Sequence, residues 1–148
     1  MTRSNPHVLL PVANEEDARR SCESILAHLD RTVTLVVVHV IQTGGGHFNK
    51  APLSAQEALA DETFAAVASL LDHSPISYVT EKRYGTDIVT EILAVAEECD
   101  VDYIVFTPRE SGRLSRILGA DLSDTLIQET SRPVIILPRL LDPRGDST

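Results

Sequence analysis

Short apolar runs and helix-period stretches alternate along the whole chain. "HVLLPV" (7–12) reads as a first strand. "NEEDARRSCESILAHLD" follows, with Ala18, Cys22, Ile25, Leu26 and Leu29 at helical spacing. Asn14 is placed to cap that helix, and Glu15, Glu16 and Asp17 in its first turn favour the helix dipole. "TVTLVVVHVI" (32–41) is β-branched and apolar, the signature of a strand buried on both faces. "QTGGGHFNKAPL" (42–53) is a loop by composition. Ser54 and Glu57 have capping-box spacing, which predicts a helix running to about Asp72. "ISYVTEKR" (76–83) alternates like a strand nearer an edge. Gly85 is expected to break the chain, with Thr86 or Asp87 capping a helix that carries Ile88, Ile92, Leu93, Ala96 and Cys99. "DYIVFT" (102–107) is a fourth strand, the helix near 120–131 follows a loop, and "PVIILP" (133–138) is a fifth strand bracketed by prolines. Residues 140–148 read as a flexible tail.

Five strands alternating with four helices predict an α/β fold: one doubly wound, Rossmann-like domain over residues 1–148, core about 6–139, built on a five-stranded parallel sheet. In such sheets ligands bind beyond the carboxyl ends of the strands, where the strand order reverses. The sequence alone does not give that order.

Composition narrows the function. The chain has 148 residues and a formal net charge of −9, which argues against non-specific nucleic-acid binding and against an anionic membrane surface. No apolar run approaches the roughly 20 residues that span a bilayer. The N-terminal stretch lacks the features of a signal peptide, so a cytoplasmic protein is expected. Lys50 and Lys82 are the only lysines. Such a surface resembles proteins of salt-loving archaea, though an acidic protein from a GC-rich genome has it too. Cys22 and Cys99 have no metal-binding spacing and read as free thiols. The histidines (His7, His28, His39, His47, His73) form no ligand pair, so no metal site is expected. His39, inside a buried strand, reads as a satisfied core residue. "GGGH" (44–47) is not followed by the G-K-[ST] of a phosphate loop.

Four pieces of the chain resemble the universal stress protein family: "HVLLPVANEEDA", "TLVVVHVI", "YGTDIVTEILAVAEECDVDYIVF" and "SGRLSRILGADLSDTLIQETSRPVIILP". The resemblance implies strand order 3-2-1-4-5, usually a homodimer, and ATP binding in some members but not others. That order reverses between strands one and four, where "PVANEE" (11–16) and "TPRESGRLSRILGADLS" (107–123) would meet. With right-handed crossovers, that order would put Cys22 and Cys99 on opposite faces of the sheet. In the ATP-binding members an Asp ends strand one, and a pattern G-x2-G-x9-G-[ST] follows strand four. Its glycines admit backbone N–H groups to the phosphates.

This chain departs from that pattern. Ala13 stands where the Asp is implied. Counted forward from strand four, the first two glycines fall on Thr107 and Glu110; counted back from Gly119, on Phe106 and Arg109. The closing Ser/Thr is Ala120, only Gly119 matches, and Gly112 is an optional loop glycine. Glu110 and Asp121 bring negative charge to the loop, and Pro108 lacks an amide donor. Arg109, Arg113 and Arg116 supply cationic forks, or else pair with neighbouring acids.

The expectation is therefore a non-catalytic, dimeric regulatory protein with no cofactor, unable to hold ATP in the usual way. The candidate nucleotide or anion contacts are Val12, Ala13, Asn14, Val40, Thr107, Arg109, Gly112, Gly119 and Ala120. The candidate dimer edge is Val134, Ile135, Ile136 and Leu137, an apolar edge that soluble proteins cover. The alternative is a sensor holding ATP or AMP with magnesium through backbone contacts near Val12, Val40 and Gly119. No protein partner beyond a second copy is identified. A hydrolase of the wider fold group ranks last, for want of an S-G-G-x-D-S loop or a visible triad. A response-regulator receiver is disfavoured because Lys82-Arg83-Tyr84, not an Asp, follows strand three.

Overall fold

The longest β-branched run forms the second strand from one edge, where both faces are covered. In the structure, a computed structural model, residues 5–44, 51–107 and 120–138 are described, without the side chains of 120–124. The strands are β1 (His7–Pro11), β2 (Thr34–Gln42), β3 (Ser77–Gly85), β4 (Tyr103–Phe106) and β5 (Val134–Ile136). The helices among the described residues are α1 (Glu15–His28), α2 (Leu53–Leu71), α3 (Ile88–Glu98) and α4 (Ala120–Glu129). All strand pairs are parallel, in the order β3-β2-β1-β4-β5. This is the expected α/β architecture, with its reversal between β1 and β4. Among the described residues no helix is long and apolar enough to cross a membrane.

The alternation of side chains along β1 and β2 divides the core. Val8, Leu10, Val12, Leu35 and Val37 pack with Ala18, Cys22 and Ile25 of α1 and Val67 and Leu71 of α2. Leu9, Val36 and Val38 pack on the other face with Val89, Ile92 and Val95 of α3, together with Ile104, Phe106 and Leu126. Cys22 and Cys99 thus lie on opposite faces, and neither is in a disulfide. Burial, with the nearby carboxylates of Asp17 and Glu23, pushes the Cys22 thiol up to about 12. It is a packing residue rather than a nucleophile.

Helix starts follow local chemistry, with one correction. Asn14 caps α1, its side chain accepting from the Asp17 amide at 2.8 Å, and Asp87 caps α3 through the Val89 amide at 3.1 Å. The capping box expected at Ser54 and Glu57 does not form. Pro52 occupies the cap position with φ −64, the angle its ring fixes for helix entry, and α2 has no side-chain cap. Glu57 instead accepts from the Tyr84 hydroxyl at 2.6 Å, tying α2 to β3. Gly85 does not break β3 but ends it in register, accepting from the Thr43 amide at 2.8 Å. A Cβ there would meet the Glu91 side chain at 2.5 Å, so glycine lets α3 start close by.

Candidate functional site

Parallel crossovers bring the carboxyl ends of all strands, and the first turns of the helices that follow them, to one edge of the sheet. A cavity of about 290 Å³ opens there, over the ends of β1 and β2. Pro11 at the end of β1, Val12 and Ala13 just beyond it, and Val38, His39, Val40, Ile41 and Gln42 from β2 form its floor. Ala51 just before α2, Ala55, Gln56 and Leu59 in its first turns, and Ile88 and Ile92 of α3 form its walls. Ligand pockets run from roughly 300 to 1,000 Å³, so this cavity lies at the small end of that range.

The described lining is apolar except for His39, Gln42 and Gln56. The two amides are held by backbone: Gln42 Nε2 donates to the Thr86 carbonyl at 3.1 Å and Gln56 Nε2 to that of Ala51 at 3.0 Å. His39 is buried, as its strand predicted, yet it also borders the cavity, which its place in the sequence did not reveal. Its Nδ1 lies 2.9 Å from the Val12 carbonyl, and its ring meets Phe64 edge-on with centroids 6.2 Å apart. A carbonyl only accepts, so Nδ1 carries the proton. Burial pushes the imidazole below the usual histidine range. The Val12 hydrogen bond opposes that shift and the Lys82 charge adds to it.

The sequence-derived candidates separate into three groups. Val12, Ala13 and Val40 come together at the cavity. Val12 has its backbone engaged on both sides, its amide donating to Val38 at 2.9 Å and its carbonyl accepting from His39. The Ala13 amide donates to Asp17 Oδ2 at 2.9 Å, and Asn14 is committed to its capping bond. Thr107 lies beyond β4, is buried, and its hydroxyl has no hydrogen-bond partner among the described residues; it is not among the described residues that line the cavity. Ala120 opens α4. Arg109, Gly112 and Gly119 lie outside the described residues, as do Pro108, Glu110, Arg113, Arg116, most of the GGGH stretch and the tail 140–148. Among the described residues no three His, Cys, Asp or Glu side chains are grouped to hold a metal ion.

The cavity walls contributed by α2 and α3 escaped the sequence reading. The signal was there: both helices follow strands of a parallel sheet, so their first turns must stand at the ligand edge. At the other side of the sheet, Ile135 and Ile136 of β5 and Ile127 of α4 are exposed. Leu137 is not part of that edge: it is buried in the core beside α1, its amide bonded to Phe106 at 2.9 Å. Alternation along the extended chain turns it inward, which narrows the candidate edge to Val134, Ile135 and Ile136.

Comparison with known proteins gives one consistent result. The model of the universal stress protein family matches residues 5–138. Among solved structures, a universal stress protein from Archaeoglobus fulgidus in complex with dAMP is 21% identical, covering 92% of this chain and 99% of that one, with a TM-score of 0.63. A structure of universal stress protein from Archaeoglobus fulgidus is 19% identical, covering 89% and 93%, TM-score 0.62. UspA from Lactobacillus plantarum is 16% identical, covering 92% and 99%, TM-score 0.61. At these identities the likeness is one of fold. No curated protein sequence matches the chain.

Proposed function

Because this chain belongs to the universal stress protein family, we propose that it is a non-catalytic stress-response or regulatory protein of the cytoplasm that does not hold ATP in the family's usual pose. The observation that carries this reading is the end of β1. Ala13 offers a methyl group where the family resemblance implies a carboxylate, and its amide is consumed by Asp17. Asn14, the next polar side chain, is consumed by the helix cap. Asp17 itself turns back to bond the backbone, so the acids of this segment start α1 rather than reach into the cavity. Titration calorimetry with millimolar ATP and magnesium is expected to give no saturable heat. One-to-one saturation would overturn the reading.

A second reading, a sensor of ATP or AMP with magnesium, is favoured by the cavity itself and by the dAMP-bound relative of the same fold. The same titration, repeated with AMP, separates the two.

The working unit of either reading is a homodimer through β5. Ile127, Ile135 and Ile136 are exposed apolar residues at the sheet edge that β5 leaves unpaired among the described residues, and a second copy would cover them. Ile136→Lys, which puts a charge at that edge, is expected to convert the dimer to monomer by light scattering. A wild-type chain that is monomeric at tens of micromolar would remove this part of the proposal.

A further inference from the structure

Helix α2 buries one face only from its second turn onward. Ala60, Thr63, Ala66, Val67 and Leu71 are buried, at the three- and four-residue steps of a helix face turned inward. The same steps run backward from Ala60 to Gln56 and Leu53, and from Thr63 to Leu59. Those three positions face the same way, yet no residue from 53 to 59 is buried, and Leu53 and Leu59 are 49% and 39% exposed. The start of α2 therefore overhangs the sheet edge, roughly 10 Å of helix at the α-helical rise. Ala55, Gln56 and Leu59 of this overhang border the cavity. No side chain caps it. Glu57, one residue round the helix from Gln56, ties it to the sheet by accepting from the Tyr84 hydroxyl at 2.6 Å. Tyr84 belongs to β3, an edge strand, and no described residue of β3 lines the cavity. The tie therefore pulls from the side away from the cavity.

We propose that Leu53–Leu59 is a lid over the cavity, which the Glu57–Tyr84 hydrogen bond latches in the open position. Closure carries the inward face of the overhang toward Ile88 on the α3 wall, where Leu53 and Leu59 lose contact with water. Helices curve toward their core as their solvent-side hydrogen bonds lengthen, so the motion needs no break in α2. The latch opposes closure with one solvent-reached bond, and closure gains the partial burial of two leucines, so the two states are closely balanced. Glu57 and Tyr84 are positioning residues: neither is among the described residues that line the cavity, and together they set how far it opens. The device uses the cavity of the proposed function but needs nothing bound in it.

Methyl NMR of the protein without added nucleotide tests the lid and its latch. In wild type, relaxation dispersion is expected at the Leu53 and Leu59 methyls, with a flat profile at Leu71 at the packed end of α2. Flat profiles at all three overturn the lid without recourse to any variant. Tyr84→Phe keeps the ring and removes only the hydroxyl. It is expected to strengthen the Overhauser cross-peaks between Leu59 and Ile88, on the α2 and α3 walls, at least twofold. Glu57→Ala removes the acceptor and is expected to do the same, and the double variant to add nothing further, because both changes cut one bond. Glu57→Gln keeps an acceptor oxygen and is expected to keep the wild-type intensity. Unchanged or weaker Leu59–Ile88 cross-peaks in Tyr84→Phe overturn the latch, since the bond would then only tie down the helix end. Additive effects in the double variant overturn it as well. Saturable binding of ATP or AMP would bear on the proposed function alone, since these spectra are recorded without nucleotide.

Discussion

Asp17→Ala is expected to lower the free energy of unfolding by about 1.5–3 kcal/mol, the range for losing a hydrogen bond to a charged group. Asp17 is buried, and its carboxylate accepts from the Ala13 amide at 2.9 Å while its own amide donates to Asn14. These reciprocal bonds satisfy two donors where β1 passes into α1, in the manner of a capping box shifted by one residue. The alanine variant leaves the Ala13 amide without its acceptor and removes a negative charge from the helix N-terminus, which itself contributes about 0.3–1 kcal/mol. Asp17→Asn keeps an acceptor and loses only the charge, so it is expected to cost less than half as much. Urea denaturation checks both, as a fall in midpoint at constant slope. An alanine variant within about 0.5 kcal/mol of wild type, the spread of ordinary surface substitutions, would show that the carboxylate holds nothing together.

Acidification is expected to destabilise the protein through His39. Its native pKa is lowered, chiefly by burial, so the folded state binds this proton less readily than the unfolded chain. The contribution to stability is fully present above the unfolded value of about 6.5. It is lost as the pH falls from there through the lowered native value, because the unfolded chain takes up a proton that the folded one refuses. The neighbouring positive charge of Lys82 works in the same direction. Thermal unfolding of wild type and His39→Asn between pH 8 and pH 5 isolates the effect from the other histidines. Wild type is expected to lose more melting temperature than the variant across that window. Parallel curves would mean that His39 protonates equally in both states.

Much of the fold was legible because each element carries its own period. The β-branched run of β2 can be satisfied only in a sheet covered on both faces, and the spacing of Ala18, Cys22 and Ile25 only on a helix packed along one side. The family resemblance supplied the strand order, which periodicity alone does not contain, and the order found is the one it implied. Local rules failed where another contact outcompeted them. Pro52 set the entry to α2 in place of Ser54, and Tyr84 drew Glu57 away from the backbone. Leu137 read as one more apolar residue of an edge strand, yet the chain beyond β5 turns it under α1, where Ser24 Oγ bonds the Pro138 carbonyl at 2.9 Å.

The sequence by itself determined the alternation of strands and helices and the capping role of Asn14, since each depends on neighbours a few residues away; that Ala13 stands in place of an acid came from the family resemblance. Only the tertiary structure decided where the cavity opens and what borders it. His39 and Val12 are 27 residues apart, and no local pattern records that an imidazole on β2 reaches the carbonyl just past β1. That contact exists because parallel pairing sets Pro11 beside Val38 and the helix start pulls the chain away immediately after. Side-chain chemistry is written along the chain, but which backbone groups remain unpaired is settled only when the strands are laid side by side.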